Sequence, residues 1–218
     1  MKENIVIIGA SSEISKKFQL ILENEDFNTS TISRSNSTFS SHLKLNNYID
    51  DIDKIKFFIK DIKNPIVIFF NGFLAENRNT YEPTYSEIAN TDYINFQIPY
   101  LLTKEINSTL NIKKFIYIST IAATRPRFKN YIYGLSKKKL EESLKFLNLN
   151  SFLVIRFGKI ETRMSEGHES PPFTISSSQA AKILLKKINK TGIITAGYKI
   201  FLAKIIITYF PQKVIDKF

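Results

Sequence analysis

The chain has 218 residues, 43% of them hydrophobic and 23% charged, which is enough for one well-buried domain and short for two. It has no cysteine, so a disulfide framework and thiolate chemistry are excluded, and its two histidines stand in no metal-ligand spacing; no metal is expected. A formal net charge of +11 invites an anionic partner, but the 31 basic residues are dispersed and accompany no zinc-finger or RNA-binding motif, so nucleic acid is not expected.

Residues 4–8, NIVII, form a short continuous apolar run of the kind a buried parallel strand shows. No charged leader and cleavage site precede it, which implies a cytoplasmic start. Gly9-Ala10-Ser11-Ser12-Glu13-Ile14-Ser15 follows at once, and then a helical pattern from Lys16. This reads as strand, tight turn and helix: Gly9 lets the turn close, and small residues let backbone amides and the helix N-terminus approach a pyrophosphate. A second strand over 27–33 ends at Arg34. No acid stands between Phe27 and Ser41 to hold adenosine ribose hydroxyls, while Arg34 can pair with a 2′-phosphate, which favours NADP over NAD.

The pattern continues with a third strand at 42–45, a helix over 50–62 with Ile52, Ile55, Phe58, Ile59 and Ile62 at helical spacing, and a fourth strand at 65–70 closed by Asn71-Gly72. Residues 79–89 are polar and turn-rich, and 93–107 read as one long helix bearing Asn95 and interrupted at Pro99. Strands at 115–119 and 152–157 flank a helix at 133–147; a helix from Ser178 and an edge strand at 192–195 follow. The alternation predicts a single α/β domain, a doubly wound Rossmann-type parallel sheet over residues 1–196. Tyr133 and Lys137 lie four residues apart, hence on one helix face, where the ammonium would favour the ionised phenol. Thr120 is placed at the carboxyl edge of the preceding strand, where open α/β sheets bind ligands.

These residues together resemble the short-chain dehydrogenase/reductase family over nearly the whole chain. The family's TGxxxGxG loop is similar to Gly9 through Ser15, with Glu13 and Ser15 where two glycines usually stand. Asn71-Gly72 matches half of its NNAG turn, Asn95 its active-site asparagine, Thr120 its strand-end serine, Tyr133 and Lys137 its YxxxK pair, and Phe157 to Thr162 its PGxxxT segment. The resemblance implies an NADP-dependent oxidoreductase, with NAD as the alternative cofactor and a homo-oligomeric assembly. Tyr133 would give a proton to a carbonyl oxygen that Thr120 also contacts. Lys137 would hold the nicotinamide ribose, and Asn95 a water. Gly9, Ser11, Ser12, Glu13 and Ile14 would line the pyrophosphate, Asn71 and Gly72 the adenosine-side ribose, and Thr162 the carboxamide, with 163–174 as a lid. A non-catalytic dinucleotide sensor or scaffold is the alternative function.

Two segments, TRPRFKNYIYGLSK and RMSEGHESPPFTISSSQAAKILLKKI, look like the reductases that act on lipid-linked keto-pentoses in cell-wall assembly, which implies a keto-sugar substrate, free or lipid-linked. The tail, 197–218, mixes apolar residues with Lys199, Lys204, Lys213 and Lys217 and is too interrupted to span a membrane. Two readings are open for it. As an interfacial helix it would sink Ile200, Phe201, Ile205, Ile206 and Phe210 into a bilayer; otherwise it packs on protein.

Overall fold

The computed structural model describes residues 2–75, 82–126, 130–166, 171 and 173–212. Its centre is a seven-stranded sheet: β1 (Glu3–Ile8), β2 (Phe27–Ser33), β3 (His42–Lys44), β4 (Ile66–Phe69), β5 (Lys114–Thr120), β6 (Phe152–Phe157) and, last in this sheet, β9 (Gly192–Thr195). Their order is β3-β2-β1-β4-β5-β6-β9, and every neighbouring pair is parallel. Two short strands, β7 (Ile160–Glu161) and β8 (Ile175–Ser176), form a separate parallel ladder beyond β6. The strand order reverses between β1 and β4, which opens a crevice at their carboxyl ends.

Where a strand is buried on both faces successive residues must all be apolar, and Ile5–Ile8 of β1 are the example. Ile5 and Ile7 point to one side, against Phe18 and Leu22 of α1 (Glu13–Leu22) and Ala180, Ala181 and Leu184 of α6 (Ser177–Lys187). Val6 and Ile8 point to the other, where Ile55 and Ile59 of α2 (Ile52–Ile59), Leu102 and Ile106 of α4 (Ile98–Thr109) and Leu140 of α5 (Tyr131–Ser143) complete the second layer. Each fully buried large side chain contributes about 1.5–3 kcal/mol. A one-residue register slip would exchange the two layers, so the registers β1 makes with β2 and β4 are fixed by packing.

The expected strands are found within a residue or two, but the long helix differs. It begins earlier, as α3 (Tyr85–Asp92), inside the stretch read as turn-rich, and the cause is a capping box in which Thr84 and Glu87 exchange bonds with each other's backbone. Residues 93–97 then form a π-turn, with Ile98 N–H donating to the Tyr93 carbonyl five residues back, before α4 resumes. Pro99 explains this: it has no N–H for the Asn95 carbonyl and its ring crowds that oxygen, so the ladder widens instead of closing. The residues expected as lid lie partly outside the described residues, at 167–170 and 172.

After β9, Gly197 is extended and α7 (Tyr198–Tyr209) runs across the protein, with the chain after Gln212 outside the described residues. Ile200 and Ile207 are buried against the body of the protein, so Ile200 is not among the side chains available to a bilayer. A Cβ on Gly158 would lie 2.9 Å from Ile200 Cδ1, so the residue after β6 leaves just the room that Ile200 fills. Beyond α7, Arg125 donates to the Phe210 carbonyl at 2.7 Å and fastens the helix end. No helix among the described residues is long and apolar enough to cross a membrane.

Candidate active site

The turn after β1 is built for close approach. Gly9 has φ +83°, where a side chain is strained, and a Cβ there would sit 3.0 Å from both Asn71 N and the Phe70 carbonyl carbon. Its N–H and that of Ala10 donate to the Ile32 carbonyl at 3.0 and 3.2 Å, which seats the turn beside the end of β2. Arg34 follows two residues later and is exposed there. Ser12 caps α1 by accepting from Ser15 N at 3.2 Å. Ser15, standing where the resemblance has glycine, is buried inward, and its hydroxyl accepts from Gln19, which also donates to Ala10 O at 2.8 Å. The serine thus braces the turn from below. Glu13 reaches sideways: its carboxylate accepts from Arg163 N at 2.8 Å, which brings Thr162 and the segment after β7 against the turn.

Asn71 and Gly72 end β4. Asn71 Oδ1 is a buried acceptor with no hydrogen-bond partner, and its backbone carbonyl accepts from Lys137 Nζ at 3.2 Å. The π-turn rotates Asn95 inward to 0% exposure, where its side-chain amide donates to the Phe73 carbonyl at 2.7 Å and accepts from Phe73 N–H at 2.9 Å. Asn95 therefore pins the chain just past Gly72. Tyr48, on the loop after β3, is buried beneath this corner; burial pushes its phenol up, opposed by the nearby Arg34 charge, the Asn71 side chain and the Gly9 backbone.

Thr120 is the last residue of β5, its hydroxyl accepting from Ala122 N at 3.2 Å. A tight turn over Ile121–Ala123 follows, and α5 lies directly on it: a Cβ on Gly134 would stand 2.7 Å from the Ala122 carbonyl oxygen. Only a residue without a side chain admits this contact, which carries the neighbouring Tyr133 to the strand end. Gly134 was not singled out from the sequence, though a residue without a side chain immediately after a candidate tyrosine was the available signal. Lys137, one turn on, is 3% exposed and bridges the Asn71 and Ile118 carbonyls at 3.2 Å each.

Burial dominates the electrostatics of the pair. It pushes the Tyr133 phenol up to about 12 and lowers Lys137 to about 8, the latter opposed by the Glu141 carboxylate. The expected lowering of the phenol by Lys137 is not found: desolvation alone sets the direction at Tyr133, and the ammonium is bonded to the Asn71 and Ile118 carbonyls. A phenol held protonated across the neutral range is a proton donor rather than a base. The structure gathers Gly9, Asn71, Gly72, Asn95, Thr120, Tyr133 and Lys137 along the carboxyl ends of β1, β4 and β5, with Arg34 and Thr162 at the two flanks of the crevice.

No family model matches the sequence. By sequence the chain is 25% identical over 146 residues to conserved oligomeric Golgi complex subunit 4 of Dictyostelium discoideum, a stretch covering 64% of this chain and 16% of that protein. By structure it is similar to a short-chain dehydrogenase from Burkholderia cenocepacia in complex with NADP, with a TM-score of 0.81 at 13% identity over 99% of this chain and 97% of that one. It is also similar to the carbonyl reductase Sniffer of D. melanogaster, with a TM-score of 0.74 at 17% identity, covering 90% and 97% of the two chains. The fold of this chain is therefore that of the short-chain dehydrogenases/reductases.

Proposed function

We propose that the chain is an NADPH-dependent reductase that converts a carbonyl to an alcohol. The observation that carries this is Lys137, an ammonium buried one helical turn past Tyr133 and bonded to backbone carbonyls of β5 and of the turn after β4. Burying a lysine in this way is costly, and a site that uses its charge accounts for it. NADPH, when bound, supplies the hydride. The residues present fit it: the Gly9 turn and the α1 N-terminus suit a pyrophosphate through Ser11, Ser12, Glu13 and Ile14, and the unpartnered Asn71 Oδ1 suits a ribose hydroxyl. Gly72 leaves room for that ribose, Arg34 would pair with the 2′-phosphate, and Thr162 would hold the carboxamide. A similar fold in complex with NADP supports this assignment.

Within the reaction, the Thr120 hydroxyl orients the carbonyl oxygen and Tyr133 delivers its proton to it. Lys137 would hold the nicotinamide ribose beside Tyr133, and Asn95 holds the turn after β4 in place while a water beside it returns a proton to the tyrosinate. The substrate we favour is a keto-sugar, free or lipid-linked, of cell-surface polysaccharide synthesis, on the likeness of TRPRFKNYIYGLSK and the 163–188 segment to such reductases. A lipid-linked substrate accords with α7, whose outward side chains Tyr198, Phe201, Leu202, Ile205, Ile206 and Tyr209 are all apolar or aromatic and exposed, flanked by Lys199 and Lys204. We assign that face to an anionic membrane surface.

The test is oxidation of NADPH, read at the nicotinamide absorbance, against a panel of keto-sugars and lipid-linked keto-sugars. Arg34→Ala is the cofactor control. It weakens NADPH by roughly tenfold or more, the worth of a charge-assisted bond, and leaves NADH unchanged. Equal losses for both would overturn the 2′-phosphate assignment.

A further inference from the structure

One buried charge cluster is left unused by that mechanism. Glu141 is 2% exposed, four residues past Lys137 and eight past Tyr133, so the three side chains form one line along α5. Its carboxylate accepts from Ser119 Oγ at 2.6 Å and from Arg156 Nε at 3.1 and 3.0 Å, and it also pairs with Arg156 Nη2. Arg156, on β6, gives its remaining Nη1 to Thr124 Oγ1 at 3.0 Å. Ser119 immediately precedes Thr120, and Thr124 follows the turn on which Tyr133 is seated. Two strands, the turn between the catalytic groups and the catalytic helix are thus joined through one carboxylate.

A buried ion pair of this kind is not explained by stability, because well-packed apolar residues of similar volume serve as well or better. What the pair supplies is geometry and charge. We infer that Glu141, clamped by Arg156, is a positioning residue for the reducing site: it fixes the end of β5 to α5 and keeps Lys137 charged. The inference rests on the reductase reading above. Lys137 faces Tyr133 and Glu141 on its own helix, the neutral carbonyls of Asn71 and Ile118 from the sheet side, and Arg156 of β6 only through Glu141. Asp92 of α3 pairs instead with Lys139 on the exposed side of α5. The nearest negative charge opposing desolvation of Lys137 is therefore Glu141, consistent with its upward pull on that lysine.

The experiment compares the full wild-type chain with Glu141→Gln and with the double variant Glu141→Gln/Arg156→Met, which removes both buried charges. Reduction of cyclohexanone by NADPH is followed from pH 6 to 10, with NADPH affinity and thermal unfolding measured in parallel. Glu141→Gln is expected to bind NADPH as the wild type does, to lose roughly ten- to a hundredfold in kcat, and to show its alkaline limb about one pH unit lower, because Lys137 loses its proton earlier. Should the single variant not fold, with Arg156 left unpaired, the double variant is read in its place. Return of the double variant to wild-type kcat and pH profile would make Glu141 purely architectural and overturn the inference, as would an unshifted limb in a folded single variant. If the wild type neither binds NADPH nor reduces any carbonyl, the reductase reading has failed on its own. The inference is then read from NMR titration of the Lys137 Nζ in wild type and variant, where equal titration points overturn it.

Discussion

Helices α5 and α7 are nearly the same length, 13 and 12 residues, and each inverts the usual pattern in the opposite sense. The inward face of α5 carries Ser136, Lys137 and Glu141, all buried, while α7 turns Tyr198, Phe201, Leu202, Ile205, Ile206 and Tyr209 outward. A helix stabilised only by its own domain would do neither: its charges would be solvated and its apolar stripe covered. The contrast separates two costs. In α5 the cost is desolvation, met by a dense set of bonds to carbonyls, Ser119 and Arg156. In α7 it is exposed apolar surface, met by nothing within the described residues.

The strongest way to break this contrast is at Tyr133. Tyr133→Phe is expected to fold and bind NADPH normally yet lose about 10²- to 10⁴-fold in kcat, since only the proton donor is removed. Turnover within a few-fold of wild type would make the buried polar face of α5 a structural oddity.

A smaller effect sharpens the electrostatic half. Lys137 titrates at about 8 in the folded protein, against an ordinary 10.5, so between these values the unfolded chain holds more protons and stability rises with pH. From pH 7 to 9.5 the gain is about 2 kcal/mol. Lys114, also lowered by burial, acts in the same direction, and the raised Tyr133 opposes only above pH 10. Urea midpoints at the two pH values give the measurement, and Lys137→Met should remove most of the rise. A rise undiminished in that variant would mean that Lys137 is not desolvated as described.

The least perturbing change concerns α7. Tyr198→Glu with Tyr209→Glu should each move stability by no more than about 0.5 kcal/mol, because these side chains are 73% and 80% exposed. The pair should abolish co-sedimentation of the full chain with phosphatidylglycerol vesicles. Sedimentation unchanged by the pair overturns the membrane assignment, and a marked loss of stability would show the face to be covered by a second copy.

Much of the fold was legible because parallel strands advertise themselves: Ile5–Ile8 of β1, Ile66–Phe69 of β4 and Phe115–Ile118 of β5 are continuous apolar runs. The start of α3 was misread because Tyr85 to Asp92 has little apolar periodicity, although Thr84 and Glu87 spelled its cap. In the site, Tyr133, Lys137 and Thr120 could be placed from spacing, since i,i+4 neighbours and strand ends are local facts. Glu141 with Arg156 could not be read, because it is a contact between elements that the sequence does not juxtapose; Gly134 is visible beside Tyr133, but its partner Ala122 is not. For α7, the sequence distributes apolar residues around the whole helix, so only packing reveals that Ile200 and Ile207 face inward.

The π-turn at Tyr93–Gln97 carries one residue more than an α-turn would, which makes the helix around it sensitive to length in a way that surface loops are not. Deleting a single residue there would let the ladder close as α-helix and rotate everything before it by about 100° relative to α4. Asn95 would swing away from Phe73, and Asp92 away from Lys139, with no change in the chemistry of any remaining side chain. Variation in this stretch should therefore occur by substitution and hardly ever by insertion or deletion, so that a count of residues between Thr84 and Pro99 carries as much information about the site as their identities.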